Sequence, residues 1–293
     1  MNKFFFISII FITSLTSISH SQDIDKSKFI FLPSGLSFMP LRAGIDEPRM
    51  GLLYYASTRN MKIDIGNSFD ILKFNFSQNE EVTLGAEFMA YAYVTNYLKY
   101  RLQIDAIDGF FGGYIIYSKK DKNGRWIGRF RYIHHSAHLV DGHWDRKTNS
   151  WLDNITPSVF GNNYGEFLLV RQSSFFNYSW RLYGGMSMST GKKTGYKILD
   201  RFAYKTGVEF AIKDVFGTFL NKDENIFTAV NFDFIGIPEY IVNQHYIIGV
   251  KFGDWNGKGI SFYLSYYNGG DVFAQYFQNR VSRFGLGLTF VFI

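Results

Sequence analysis

The chain has 293 residues, no cysteine and a formal net charge of +6, so disulfide staples and thiolate metal centres are excluded. Aromatic residues make up 19% of it, yet mean hydropathy is only −0.08 because polar and apolar positions interleave, and no continuous apolar run near 20 residues offers a spanning helix. The basic excess is spread rather than clustered, which sets aside nucleic acid as a partner and leaves outer-membrane lipid or lipopolysaccharide phosphates as the anions it would meet.

Met1-Asn2-Lys3 is a short positive start, followed by an apolar run from Phe4 to Ile18 and the small residues of Ser19-His20-Ser21. This order predicts a secretory signal peptide over residues 1–21. Residues 22–50 hold Pro33, Pro40 and Pro48 within a short span. Proline cannot donate to a strand ladder, so this segment is expected to be an irregular periplasmic lead-in or a plug.

From Gly51 the pattern changes to alternation. Strands are predicted at Gly51–Ser57, Met61–Gly66, Phe69–Phe76, Val82–Tyr93, Tyr97–Ala106, Phe110–Lys119 and Arg125–Ser136. Lys122-Asn123-Gly124 supplies hairpin chemistry between the last two. His138 to Tyr164 lacks alternation and reads as a long loop. Further strands are predicted at Gly165–Ser173, Tyr178–Ser189, Phe202–Ile212, Ile226–Phe234, Tyr240–Phe252, Ile260–Tyr267 and Arg283–Phe292.

The last of these is the most explicit. Phe284, Leu286, Leu288, Phe290 and Phe292 fall on one face, against Gly285, Gly287, Thr289 and Val291 on the other. A bulky apolar face backed by a slim one suits a sheet with lipid outside and a crowded interior. Each segment is near the roughly 9–11 residues that a tilted spanning strand needs. In hydrocarbon every backbone amide must be paired, so the sheet must close on itself. The expected fold is therefore all-β: a closed antiparallel transmembrane β-barrel of about twelve strands over residues 51–293. Its expected place is the bacterial outer membrane of a Gram-negative cell, with the outer-membrane assembly machinery as a partner. The terminal aromatic that such machinery reads falls at Phe292, one residue before the end.

One stretch carries candidate chemistry. Arg131 to His143 holds four of the six histidines, and His134, Ser136 and His138 fall at alternate positions with Asp141 beyond. A histidine, a hydroxyl and a carboxylate are the parts of a base-activated nucleophile. In that reading Ser136 attacks an acyl ester, His134 or His138 takes its proton, and Asp141 fixes the tautomer. The His-x-Ser spacing resembles the active strand of outer-membrane barrel lipases, although Ala137-His138 stands here where those have Asn-Gly. Two other readings stay open: a divalent-metal site from His134, His138 and Asp141, and a hydrogen-bonded polar cluster at the barrel mouth. Accordingly the function divides between a lipid-modifying hydrolase and a non-enzymatic alternative, a structural or binding barrel or a small channel. A wide pore is not expected, because twelve strands enclose little space and open porins use roughly 16–18.

Three stretches also resemble a known family when taken in order. These are Phe38-Met39-Pro40-Leu41-Arg42-Ala43-Gly44-Ile45-Asp46-Glu47-Pro48-Arg49, then His134-x-Ser136-x-His138-Leu139-x-Asp141, then Tyr267-Asn268-Gly269-Gly270 with Gln275-Tyr276-Phe277, Arg280 and Gly285-Leu286-Gly287. Together they are similar to a bacterial outer-membrane barrel family known as a domain of unknown function, family 1207. The likeness covers nearly all of the mature chain, with departures at Ala137, Val140 and Ala274 and an extra residue in the lead-in. It implies outer-membrane placement, and it assigns no reaction to any residue.

Overall fold

A computed structural model describes residues 28–97, 101–193, 202–236 and 240–292. The predicted signal peptide lies outside them. In chain order the strands are β1 (Phe29–Phe31), β2 (Met50–Tyr55), β3 (Asn60–Asn75), β4 (Glu80–Tyr97), β5 (Arg101–Asp121) and β6 (Gly124–Leu139). A small hairpin, β7 (Trp144–Asp145) and β8 (Ser150–Trp151), sits inside the long connection that follows. Then come β9 (Phe160–Phe175), β10 (Tyr178–Lys193), β11 (Phe202–Phe219), β12 (Lys222–Gly236), β13 (Tyr240–Gly253), β14 (Gly259–Gly270) and β15 (Arg280–Val291).

Thirteen strands form one sheet in which β15 pairs with β2 and β3 pairs with both β2 and β4. The sheet therefore closes. Short β1 pairs with the lower part of β3 at Phe74, Lys73 and Leu72, beyond the reach of β2. The remaining twelve strands are the wall of an antiparallel barrel. Two pairs of predicted strands merge: Met61–Gly66 and Phe69–Phe76 become β3, and Tyr97–Ala106 and Phe110–Lys119 become β5. The apparent breaks at Asn67-Ser68 and Asp108-Gly109 are polar or small positions within continuous strands, which an interior-facing row tolerates.

Side chains sort by parity as the alternation predicts. Leu286, Phe262, Ile248 and Phe284 are exposed on the outer face, whereas Ser265, Tyr263 and Lys251 are buried inside. Along β6, Trp126, Phe130 and Tyr132 face outward, while Ile127, Arg129, Arg131 and Ile133 face the interior. Short turns such as Lys122-Asn123, Phe176-Asn177 and Leu220-Asn221 gather at one end. The long connections 140–159 and 271–279 lie at the other.

The interior is filled. Residues 33–49 run through it. Phe38 and Leu41 pack against Tyr114, Ile116, Ile127, Leu168, Val170 and Tyr183, and Phe38 lies between the guanidinium groups of Arg129 and Arg181. Asp46 and Glu47 meet a ring of wall charges. Arg129 donates to Glu47 Oε2 at 2.8 Å and to Glu166 Oε1 at 2.9 Å. Arg131 donates to Glu166 at 2.7 Å and to Glu87 at 3.1 Å. Lys205 donates to Asp46 at 2.7 Å and to Glu166 at 3.0 Å. Burial alone would raise the pKa of Glu47, but the neighbouring Arg129 and Arg131 outweigh it and hold the carboxyl down at about 2. From the long-loop end, Phe273 and Tyr276 dip in and pack with Met89, Tyr91 and Phe110.

Candidate functional site

Strand β6 carries the candidate residues on two faces. His135 points inward, where its Nε2 lies 2.7 Å from Asp108 Oδ2 and its ring stacks on Phe110 at 3.9 Å. His143 is buried beyond the strand end and ties the long connection down through Asp105 at 3.1 Å and the Leu152 carbonyl at 2.9 Å. These two histidines are tethers. His134, Ser136 and His138 share the opposite, outward face, on the outer wall rather than in the mouth.

Cross-strand register gives that face its geometry. His134 lies between Phe111 of β5 and Asn163 of β9, and Ser136 lies between Gly109 and Gly161. His134 Nδ1 lies 2.6 Å from Asn163 Oδ1; an amide oxygen accepts, so Nδ1–H is the donor and, in the neutral ring, Nε2 is the lone-pair nitrogen. The Phe111 ring flanks His134 at 4.9 Å. Thr190 on β10 donates to the Asn163 carbonyl at 3.2 Å and joins the Tyr132 hydroxyl at 3.1 Å, so Asn163 is held from both sides. Ser136 sits in a notch: a methyl group added at Gly161 would meet nothing within 4 Å, and one added at Gly109 would meet only Ser136 Oγ at 3.8 Å.

Asp141 does not join this arrangement. The strand ends at Leu139, and an exposed Asp141 opens the 3₁₀ turn Asp141–His143, whose other two residues are buried. Asn163 takes the orienting position instead because it is directly opposite His134 in register. His138 is exposed, one outward position beyond Ser136, and no hydrogen bond links Ser136 to either histidine among the described residues. Among those residues no three His, Asp or Glu side chains converge as a metal ligand set, so His134, His138 and Asp141 are apart rather than assembled around an ion.

Asn163 and Gly161 fall in the stretch 138–164 that reads as a loop, and Gly109 falls in the gap between two predicted strands. The signal is present: Gly161, Asn163, Gly165, Phe167 and Leu169 alternate with Phe160, Asn162, Tyr164, Glu166 and Leu168, a two-faced strand whose first turn is masked by polar residues. Inside the long-loop end, a cavity of about 220 Å³ lies among Asp46, His135, Asn162, Lys205 and Asp233.

The family model described as "Protein of unknown function (DUF1207)" matches residues 32–292. No curated protein matches the chain. Among solved structures it is similar to the beta domain of the Bordetella autotransporter Brka, at 11% identity and TM-score 0.39, covering 83% of this chain and 96% of that one. The Pseudomonas putida toluene transporter TodX matches at 7% identity and TM-score 0.42, over 78% of this chain and 69% of that one. The translocator domain of the autotransporter NalP from Neisseria meningitidis matches at 11% identity and TM-score 0.40, over 83% and 85%.

Proposed function

This chain belongs to that family of unknown function, and from that premise we propose that it is an outer-membrane barrel whose lipid-facing wall hydrolyses acyl esters of membrane lipids. The bond between His134 and Asn163, on the same outward face as Ser136 in its glycine-flanked notch, carries the reading. Long loops belong on the outer side of such barrels, which puts Ser136, near the upper end of β6, in the outer leaflet.

The chemistry follows from the tautomer. Asn163 holds the proton on Nδ1, as an Asn does in cysteine-protease triads, so His134 Nε2 can accept the Ser136 proton. Ser136 Oγ attacks the ester carbonyl carbon, and the tetrahedral adduct collapses as its alcohol leaves with the proton from His134. Water, deprotonated by the same imidazole, then adds to the acyl carbon, and the bond from Oγ to the acyl group breaks as His134 returns the proton to Ser136, releasing a fatty acid. In this reading His138, the next outward residue after Ser136, donates to the developing oxyanion.

The test is mass spectrometry of lipids incubated with the detergent-purified protein. Free fatty acid and deacylated lipid are expected from the intact chain and not from Ser136→Ala. Asn163→Ala should slow release by about 10- to 100-fold, the worth of one charge-assisted hydrogen bond. Equal products from Ser136→Ala would refute the assignment. A second reading, a non-enzymatic binding barrel, draws on the luminal cavity beside Asp233 and Lys205 and on the missing Ser136–His134 hydrogen bond. It predicts no lipid turnover by any form of the protein.

A further inference from the structure

On the other side of the barrel the outer wall contains a carboxylate that packing does not explain. Strand β11 leaves its ladder with β12 between Lys213 and Thr218, where Asp214 has φ 59° and Gly217 has φ 88°. A positive φ at a non-glycine residue marks a departure from regular strand geometry. The bulged residues stand over the outer face of β12, and the Phe216 N–H donates to Glu224 Oε2 at 3.1 Å. Glu224 has the parity of Ile226, Thr228 and Val230, so it belongs to the lipid-facing row. Yet it is only 2% exposed, makes no ion pair, and its second oxygen, Oε1, has no hydrogen-bond partner among the described residues.

Beside it runs an open apolar groove of about 750 Å³, lined by Glu224 with Phe216, Ile226, Ile248, Phe262 and Leu264. The register places Ile226 against Val250 and Val250 against Phe262, so the groove crosses β12, β13 and β14. A buried acceptor without a donor is costly, and a carboxylate repels headgroups of net negative charge. A hydrocarbon chain with a cationic N–H group at one end satisfies both features.

We propose that this groove binds a phospholipid with a primary-ammonium headgroup, its acyl chain along Ile248 and Phe262 and its ammonium donating to Glu224 Oε1. The site lies toward the short-turn end, away from Ser136, and its occupancy rests on the outer wall meeting lipid, not on hydrolysis. A quaternary ammonium carries no N–H and cannot make this bond.

Native mass spectrometry separates the possibilities. The full-length protein is exchanged into mixed micelles holding equal phosphatidylethanolamine, phosphatidylcholine and phosphatidylglycerol with identical acyl chains. Retained phosphatidylethanolamine should exceed each of the others by roughly tenfold, as expected for a charge-assisted hydrogen bond. Glu224→Gln keeps an acceptor for Phe216, so the barrel should still fold, with its mobility shift on heating as the check. It should abolish the preference. Retention of all three lipids in equal amounts by the unmodified protein would overturn the proposal while leaving the lipid-facing wall intact, and so would an unchanged preference in Glu224→Gln.

Discussion

Arg131 donates to Asp46 Oδ2 at 2.5 Å across the barrel interior, joining β6 to a lead-in residue 85 positions away in sequence. Arg131 is fully buried and also serves Glu166 and Glu87. Removing it takes one cation from the largely buried carboxylates Glu87 and Glu166 and from Asp46. Arg131→Ala should therefore destabilise the barrel by roughly 3–5 kcal/mol, the cost of orphaning a buried charge. Urea unfolding in detergent, followed by tryptophan fluorescence, measures it.

The docked lead-in should respond to acid. The carboxyl of Glu47 ionises more readily in the folded state than its ordinary 4.5, at about 2. A depressed pKa contributes stability that is present above the ordinary value and is lost as pH falls through the folded one. Between about pH 5 and pH 2 the grip on residues 33–49 should weaken. An acid-active protease should cut the lead-in of the intact chain increasingly over that range. Glu47→Gln should flatten the dependence.

With residues 33–49 threaded through the interior and Phe273 and Tyr276 in the long-loop end, the barrel should not conduct. Planar bilayers containing the intact protein should show no stable single-channel steps. Steady conductance from it would mean that the lead-in leaves the lumen.

Gly161 offers a clean test of the notch. A Cβ added there meets nothing within 4 Å, so Gly161→Leu should fold normally, with the outer atoms of the leucine filling the space beside Ser136. Under the hydrolase reading, lipid turnover should fall by about 10- to 100-fold, as displacement of a reacting group by an ångström does. An unaffected rate would show that substrate does not approach Ser136 from the β9 side.

Much of the fold was legible because strand parity writes itself into sequence. Phe284 to Phe290 and Ile260 to Tyr266 show their outward rows directly. What stayed hidden depended on register between strands distant in sequence. Nothing local says that Asn163 lies opposite His134, or that Gly109 and Gly161 flank Ser136. The charged ring escaped for the same reason: Asp46, Glu87, Arg131, Glu166 and Lys205 come from five separate segments. Asp141 looked close along the chain, but a turn intervenes and closeness in sequence did not become closeness in space.

All of this rests on the outer face meeting hydrocarbon. The chain has no cysteine, so single cysteines can be placed at will: Leu286→Cys on the outer wall and Lys147→Cys in the long connection, each carrying a fluorophore and reconstituted in vesicles. Lipids brominated along their acyl chains should quench the label at 286 strongly and the label at 147 hardly at all. Equal quenching at both positions, with the 286 label open to aqueous iodide, would contradict a barrel embedded in a membrane.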